Sequence, residues 1–73
     1  MHSQAFRYLT SILDAGSISR AAAALEISQP SLSQYVQRLE KDVGAELFDR
    51  STRPLSLTES GRIFYDAEKR VAQ

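Results

Sequence analysis

The residues of this sequence best suited to recognition chemistry form a short polar group at the start of a predicted helix. Gln29, Ser33 and Gln34 carry amide and hydroxyl groups. A glutamine amide donates and accepts at the same time, which matches N6 and N7 of adenine, and a serine hydroxyl can do either. Such side chains suit the reading of base edges in the major groove of DNA. The candidate base contacts are Gln29, Ser31, Ser33 and Gln34.

Two predicted helices separated by a three-residue turn must position this group. Residues 18–25 form a short helix rich in alanine, for which Ser19 is the predicted cap. Residues 26–28 form the turn. The next helix begins at Gln29 or Pro30, with Ser28 or Gln29 as its cap. The proline lies in the first turn, where its missing N–H costs nothing. This is the helix-turn-helix arrangement, in which the second helix enters the major groove and the first braces against the DNA backbone.

The periodicity of the second of these helices separates a buried side from a polar one. Its apolar residues recur at spacings of four, three and four, which predicts one buried stripe of Leu32, Val36, Leu39 and Val43. Gly44 is placed to end the helix. The opposite side of the helical wheel carries Pro30, Gln34, Gln37, Arg38 and Lys41, with Gln29 and Ser33 at its edge. The polar side is therefore expected to face DNA.

A helix and a hairpin are predicted on either side of this unit. Residues 3–15 have apolar side chains at helical spacing, with Ser3 as a cap and Gly16 as a left-handed stop. Residues 47–57 contain two short alternating runs around a polar loop, which predicts a small β-hairpin that leans on the helices. The sequence therefore predicts a mainly α fold, a winged helix-turn-helix with a three-helix core, a hairpin wing and a C-terminal helix.

The C-terminal helix is predicted to begin after a capping Thr58 and to run to about Gln73. Its apolar stripe consists of Ile63, Phe64, Ala67 and Val71, and Tyr65 and Ala72 widen it. The stripe has two readings, because it can close the domain core or pair with a second subunit. A helix at the end of so small a domain cannot bury all of it internally, so we expect it to be a dimerisation seam.

The charge of the chain bears on its affinity for DNA. Nine basic and nine acidic residues give a formal net charge of zero, whereas nucleic-acid binders are usually basic. The arginines gather in two segments, with two against one acid in residues 17–38 and three against one acid in residues 50–62. We therefore expect modest basic patches and weak non-specific affinity for DNA. The candidate contacts to the DNA backbone are Ser19, Arg20, Ser28, Gln37 and Arg38.

The sequence lacks the residues that several classes of function require. The sequence contains no cysteine, one histidine at position 2 and no glycine-rich phosphate loop, so we expect no enzyme, no cofactor and no metal site. No apolar run approaches the roughly 18 residues of a membrane-spanning helix, so we expect no membrane partner. The alternative that stays open is a winged helix used for contact with another protein, which the zero net charge favours.

A set of motifs recurs at fixed offsets between Phe6 and Gly61: Gly16-Ser17-Ile18, Ala21-Ala22, Leu25, Ser28-Gln29-Pro30, Leu32-Ser33, Leu39-Glu40, Gly44, Leu47-Phe48, Arg50, Arg53, Leu57-Thr58 and Gly61. In these residues the sequence resembles the N-terminal DNA-binding domain of LysR-type transcriptional regulators. The resemblance implies a cytoplasmic homodimer that binds a partly palindromic promoter site. It also implies a winged domain over residues 1–58, the start of a linker helix over residues 59–73, and a larger ligand-sensing domain in a full-length parent chain.

The resemblance assigns roles to individual positions. Gln29, Pro30, Ser33 and the residue at position 34 face the major groove, and Arg53 with Pro54 in the wing reaches the flanking minor groove. Relatives commonly carry arginine at position 34, where this chain has Gln34, so the base preference at that step cannot be transferred.

Arg50 is expected to form a structural ion pair with an acid near the hairpin. For Tyr35, packing and a phosphate contact are both open.

Overall fold

Four helices and one two-stranded hairpin make up the fold in the computed structural model, which describes residues 3–71. In chain order these elements are α1 (Gln4–Ala15), α2 (Ile18–Leu25), α3 (Gln29–Val43), β1 (Phe48–Asp49), β2 (Ser56–Leu57) and α4 (Glu59–Val71). This confirms the expected winged helix-turn-helix. The predictions for His2 and Ala72, and the predicted helix end near Gln73, concern residues outside the described range. No helix in the described part is long and apolar enough to cross a membrane.

The core lies where α1, α2, α3 and the base of the wing meet. Each of these elements contributes side chains that solvent barely reaches: Leu9, Ile12, Ala21, Ala22, Leu32, Val36, Leu47, Phe48 and Leu55. Ala21 and Ala22 are small, so α2 can cross its neighbours at close range. Burial of these apolar side chains is the main force that holds so short a hairpin against the helices.

The capping residues at the helix ends are those predicted from the sequence, except at the start of α2. Ser3 and Ser28 accept hydrogen bonds from the N–H groups of Phe6 and Ser31 and cap α1 and α3 as expected. The cap of α2 is Ser17 and not the predicted Ser19, because Ser17 adopts the extended backbone of a cap and accepts from the Arg20 N–H. Ser19 lies inside the first turn of α2 and is exposed.

The predicted buried stripe of α3 is wrong at its last position. Leu32 and Val36 are fully buried and Leu39 packs against the core, but 39% of Val43 is exposed. Gly44 follows it in the left-handed conformation and ends the helix. The last turn of α3 therefore extends past the core, and the apolar periodicity continues onto the surface.

The wing is an antiparallel hairpin in which Phe48 pairs with Leu57 and Asp49 with Ser56. The backbone N–H of Leu55 donates to the Gly16 carbonyl at 3.0 Å, which ties the return strand to the turn between α1 and α2. The peptide bond between Arg53 and Pro54 is cis. Because its base is anchored to the helices, the wing lies at a fixed place beside the helix-turn-helix.

Helix α4 packs back across the domain onto α1. The rings of Phe6 and Tyr65 stack with centroids 4.9 Å apart, and the hydroxyls of Thr10 and Tyr65 are 2.9 Å apart. At the start of α4, the Thr58 hydroxyl accepts from the Gly61 N–H at 2.9 Å, so Thr58 is the cap that the sequence predicted. These contacts fix the direction in which α4 leaves the domain.

Candidate nucleic-acid interface

The turn of the helix-turn-helix is built from backbone hydrogen bonds and one left-handed residue. Glu26 ends α2 with φ of 60°, and its N–H reaches the carbonyls of Ala22 and Ala23. The N–H of Ile27 donates to the Ala22 carbonyl at 3.0 Å. Ser28 then starts α3 at once. The turn is therefore as short as predicted, and it holds the start of α3 at a fixed angle to α2.

The start of α3 presents the polar group that the sequence singled out, which we call the reading group: Gln29, Pro30, Ser31, Ser33 and Gln34. All of its members are exposed except Ser33, which is half-buried. Leu32 and Val36 on the other side of the same turns are fully buried and hold this part of the helix in place. The reading group thus projects outward from a rigidly anchored helix.

Several polar side chains at the start of α3 are already paired with one another. The Ser28 hydroxyl donates to the Ser31 hydroxyl at 2.8 Å, and the Gln29 amide donates to the Ser33 hydroxyl at 2.8 Å. Within the described part of the chain, Gln34 has no such partner and its amide stays in solvent. The reading group therefore combines an ordered pair with a free glutamine.

A crevice beside α3 brings together residues from the helix-turn-helix and the wing. It has a volume of about 220 Å³ and is lined by Gly16, Ser17, Ile18, Ser19, Gln29, Arg50, Arg53 and Leu55. An adjoining hollow is lined by Arg20, Arg53 and Pro54 among others. The structure thus groups the predicted residues Ser19, Arg20, Gln29, Arg53 and Pro54. Gln37 and Arg38 are also exposed but lie about two turns further along α3.

Arg53 is folded onto its own loop in this structure. Its Nη1 donates to the backbone carbonyls of Arg50 and Thr52, each at 2.8 Å. A guanidinium has five N–H donors, so this arrangement holds the side chain in place and leaves further donors directed at solvent. In the same loop, hydrogen bonds from the Ser51 hydroxyl and N–H hold the pKa of the Asp49 carboxyl below its ordinary value. The wing loop is ordered by its own side chains.

Glu40 links α3 to the wing, a role that was not predicted from the sequence. Its Oε2 accepts from the backbone N–H of Leu47 at 2.7 Å and, more weakly, from that of Phe48 at 3.4 Å. Its Oε1 lies 3.3 Å from Nη2 of Arg50. The predicted structural ion pair of Arg50 is therefore present, but its acid lies on α3. Only 12% of the Glu40 side chain is exposed.

Tyr35 is half-buried and packs against the core beside the reading group. Its ring meets that of Tyr8 edge to face, with centroids 4.8 Å apart. Burial raises the pKa of the Tyr35 phenol above its ordinary value, and the nearby Tyr8 and Glu68 raise it further. Of the two roles that the sequence left open, the structure shows packing.

The apolar stripe of α4 is divided between the core and the surface. Ile63 and Val71 are 65% and 79% exposed, whereas Phe64 is half-buried and packs against the core. A shallow groove of about 380 Å³ lies beside α4, lined by Val43, Ala45, Ser60, Ile63, Phe64 and Ala67. Val43, which the sequence placed in the core, thus adds to the exposed apolar surface. Among the described residues there is no cluster of side chains able to hold a metal ion.

Comparison with known proteins identifies the family. Residues 3–62 match the model of the bacterial regulatory helix-turn-helix proteins of the lysR family. The chain belongs to the lysR family. TfdT of Cupriavidus pinatubonensis (strain JMP 134 / LMG 1197), an HTH-type transcriptional regulator, is 37% identical over 71 residues, which cover 97% of this chain and 31% of TfdT. BudR of Klebsiella aerogenes, also an HTH-type transcriptional regulator, is 50% identical over 60 residues, which cover 82% of this chain and 42% of BudR.

A solved structure of this family superposes closely on the chain. The crystal structure of the BenM_DBD/catB site 1 DNA complex has a TM-score of 0.82 and 34% sequence identity, and the match covers 97% of this chain and 76% of that one. The lysR-family chain described here spans less than half the length of TfdT and of BudR. Its fold is therefore that of the helix-turn-helix part of these longer proteins.

Proposed function

We propose that this chain is the sequence-specific, double-stranded DNA-binding part of a lysR-family transcriptional regulator. The observation that carries the proposal is the exposed reading group at the start of α3, a helix held between α2 and the wing. Its relatives TfdT and BudR are named as transcriptional regulators, and the structurally similar BenM domain is bound to DNA. In this proposal α3 enters the major groove and the wing lies over the flanking minor groove.

Each group of exposed residues has a role in the proposed complex. Gln29, Ser31, Ser33 and Gln34 contact base edges, and Pro30 packs against them. Ser19, Arg20, Ser28, Gln37 and Arg38 contact the sugar-phosphate backbone, which sets the position of the helix without reading sequence. The shared crevice supports this arrangement, because Ser19, Gln29 and Arg53 line it together from three elements.

Arg53 is proposed to enter the minor groove, where a narrow A·T-rich groove has an enhanced negative potential. We expect Arg53→Ala to weaken binding to a duplex with A·T flanks by about fivefold more than binding to one with G·C flanks, roughly 1 kcal/mol. Fluorescence anisotropy on two duplexes that differ only in their flanks measures this. Arg62→Ala is the matched control, since it removes an arginine of α4 that is 62% exposed. An equal loss on both flanks would refute the groove role.

The exposed side chains of α4 support a homodimer in which this helix is the seam. We expect Ile63→Glu to give a folded monomer, because the Ile63 side chain is largely in solvent and contributes little to the core. Phe64→Ala is expected to lower the melting temperature instead, since Phe64 packs against the core. Sedimentation equilibrium and thermal melts of both variants separate the two effects. If the Ile63→Glu variant is still a dimer, the dimer interface does not lie on this face of α4.

Features of the whole protein follow from the family as further parts of the proposal. TfdT and BudR are each more than twice as long as their match to this chain, which supports a parent chain with an additional, effector-binding domain. We assign the division at residues 58 and 59, where the wing ends and α4 begins. The protein acts in the cytoplasm on promoter DNA, without catalysis of its own and without a cofactor.

Salt dependence tests the proposed function against the competing use of the fold for protein contact. A DNA-binding domain releases counterions from each phosphate that it neutralises, so its affinity falls linearly with the logarithm of salt concentration. We expect duplex binding at low salt that weakens steeply between about 50 and 200 mM salt. The absence of any duplex binding at low salt would favour the protein-contact alternative, which the zero net charge leaves open.

A further inference from the structure

The hydrogen-bonded pair of Gln29 and Ser33 indicates that base recognition by Gln29 depends on a second residue. We propose that Ser33 is a positioning residue, which holds the Gln29 amide at one place on α3, where its free edge can pair with adenine. The inference rests on the proposed function, because it concerns how one of the proposed base contacts is oriented. Its physical basis is the 2.8 Å hydrogen bond from the Gln29 amide nitrogen to the Ser33 hydroxyl.

The hydrogen bond uses one donor of the amide and leaves the adenine-reading edge free. A glutamine amide has two N–H donors and one carbonyl acceptor. With one N–H directed at Ser33, the other N–H and the carbonyl form a donor and acceptor pair that matches N7 and N6 of adenine. A rotation of the amide by 180° would place the carbonyl against Ser33 and exchange donor for acceptor on the outer edge. Because the Ser33 hydroxyl donates as well as accepts, it can pair with the amide in either orientation, and its effect is to hold the amide at one place on α3.

The positions of the two residues on α3 make this contact persistent. Residues four apart on a helix lie one above the other, which places Gln29 and Ser33 on the same side. Gln29 is exposed and Ser33 is half-buried, so the flexible side chain is held by the more constrained one. Leu32, next to Ser33, is fully buried and fixes the backbone there. Ser33 thus lies in the part of α3 whose backbone is fixed by the core.

Gln34 provides the contrast within the same reading group. It is exposed and has no hydrogen-bond partner among residues 3–71, so its amide samples several orientations before DNA arrives. Ordering such a side chain on binding costs conformational entropy, whereas a side chain that is already ordered has little to lose. Gln29 is therefore expected to discriminate its base more sharply than Gln34.

The test measures base preference at every step of a bound duplex for a set of variants of this chain. Competition binding with all single-base substitutions of a selected site is run on the wild type, Gln29→Ala, Ser33→Ala, the double variant and Ser33→Thr, which keeps the hydroxyl. Ser11→Ala is the matched control, since it removes a serine hydroxyl from α1, outside the proposed interface. Gln29→Ala identifies the step that Gln29 reads.

At that step we expect the wild type to prefer adenine by about tenfold, within the range of a two-point contact. Ser33→Ala should reduce this preference to less than about threefold, Ser33→Thr should retain it, and the double variant should show no loss there beyond that of Gln29→Ala. Ser11→Ala should leave this step unchanged. In the free protein, nuclear magnetic resonance should show a lower order parameter for the Gln29 side-chain amide in Ser33→Ala than in the wild type.

Two other results would overturn the inference in distinguishable ways. If Ser33→Ala alters only a different step, or none, while Gln29→Ala abolishes one preference, Gln29 reads its base without help from Ser33 and the proposed function stands. If Gln29→Ala leaves every preference unchanged, the base-reading role of Gln29 fails and the inference fails with it. Thermal melts of the variants confirm in each case that the compared proteins are folded.

Discussion

Replacement of Gly61 by alanine should destabilise the domain by more than about 3 kcal/mol, toward or beyond the upper end of the range for overpacked sites. A Cβ at position 61 would lie 2.0 Å from the carbonyl oxygen of Leu47 and 2.9 Å from its carbon. These are backbone atoms, so no side-chain rotation relieves the clash. Alanine also favours a helix over glycine by up to about 1 kcal/mol, which is too little to offset it.

The consequence for the fold is that α4 must separate from the segment between α3 and β1. At 4–8 °C for each kcal/mol in a domain of this size, the melting temperature should fall by more than about 12 °C. Ser60→Ala is the matched control, because it adds no atom and its side chain is exposed. A Gly61→Ala variant that melts within about 2 °C of the wild type would show that α4 does not approach Leu47 so closely.

Loss of the Glu40 carboxylate should cost about 2–3 kcal/mol, the second large effect that we expect. Glu40→Ala leaves the N–H of fully buried Leu47 without its 2.7 Å partner, and an unsatisfied buried donor is expensive. The ion pair with Arg50 contributes less, since 45% of the Arg50 side chain is exposed and surface pairs are worth little. Glu40→Gln keeps an acceptor oxygen for Leu47, so it should cost about half as much.

A urea denaturation series distinguishes the two contributions of Glu40. We expect the free energy of unfolding to fall most in Glu40→Ala, less in Glu40→Gln and least, by under about 1 kcal/mol, in Arg50→Ala. Equal losses in Arg50→Ala and Glu40→Ala would mean that the ion pair, and not the backbone contact, holds the wing to α3. Because the wing base is anchored through this carboxylate, we also expect Glu40→Ala to reduce the preference for A·T flanks that depends on Arg53.

Much of this fold is encoded locally, and those parts were predicted correctly. Helical periodicity identified four helices, the caps Ser3, Ser28 and Thr58 followed from residue type, and the glycines at 16 and 44 marked two left-handed ends. The exposure of Gln29, Pro30 and Gln34 followed from the same periodicity. Local propensity suffices where one residue type satisfies one backbone requirement.

The errors and omissions arise where distant parts of the chain decide the outcome. Ser17 and Ser19 are equally good caps by type, but it is Ser17 that has the extended backbone of a cap. Val43 continues an apolar stripe, but α3 extends past the core there and leaves it exposed. The contact of Glu40 with Leu47 and the need for glycine at position 61 both depend on packing of separate segments. No spacing rule in the sequence indicates such contacts.

The selection of bound sequences from random double-stranded DNA tests the central claim most directly. We predict enrichment of one short motif that occurs as two partly palindromic half-sites about one helical turn apart or a multiple of it, as expected for a dimer that reads two major grooves. Gln34→Ala should relax the preference at one position of that motif and leave the others. Recovery of no motif above the unselected pool, at a salt concentration low enough for binding, would contradict sequence-specific recognition by this chain.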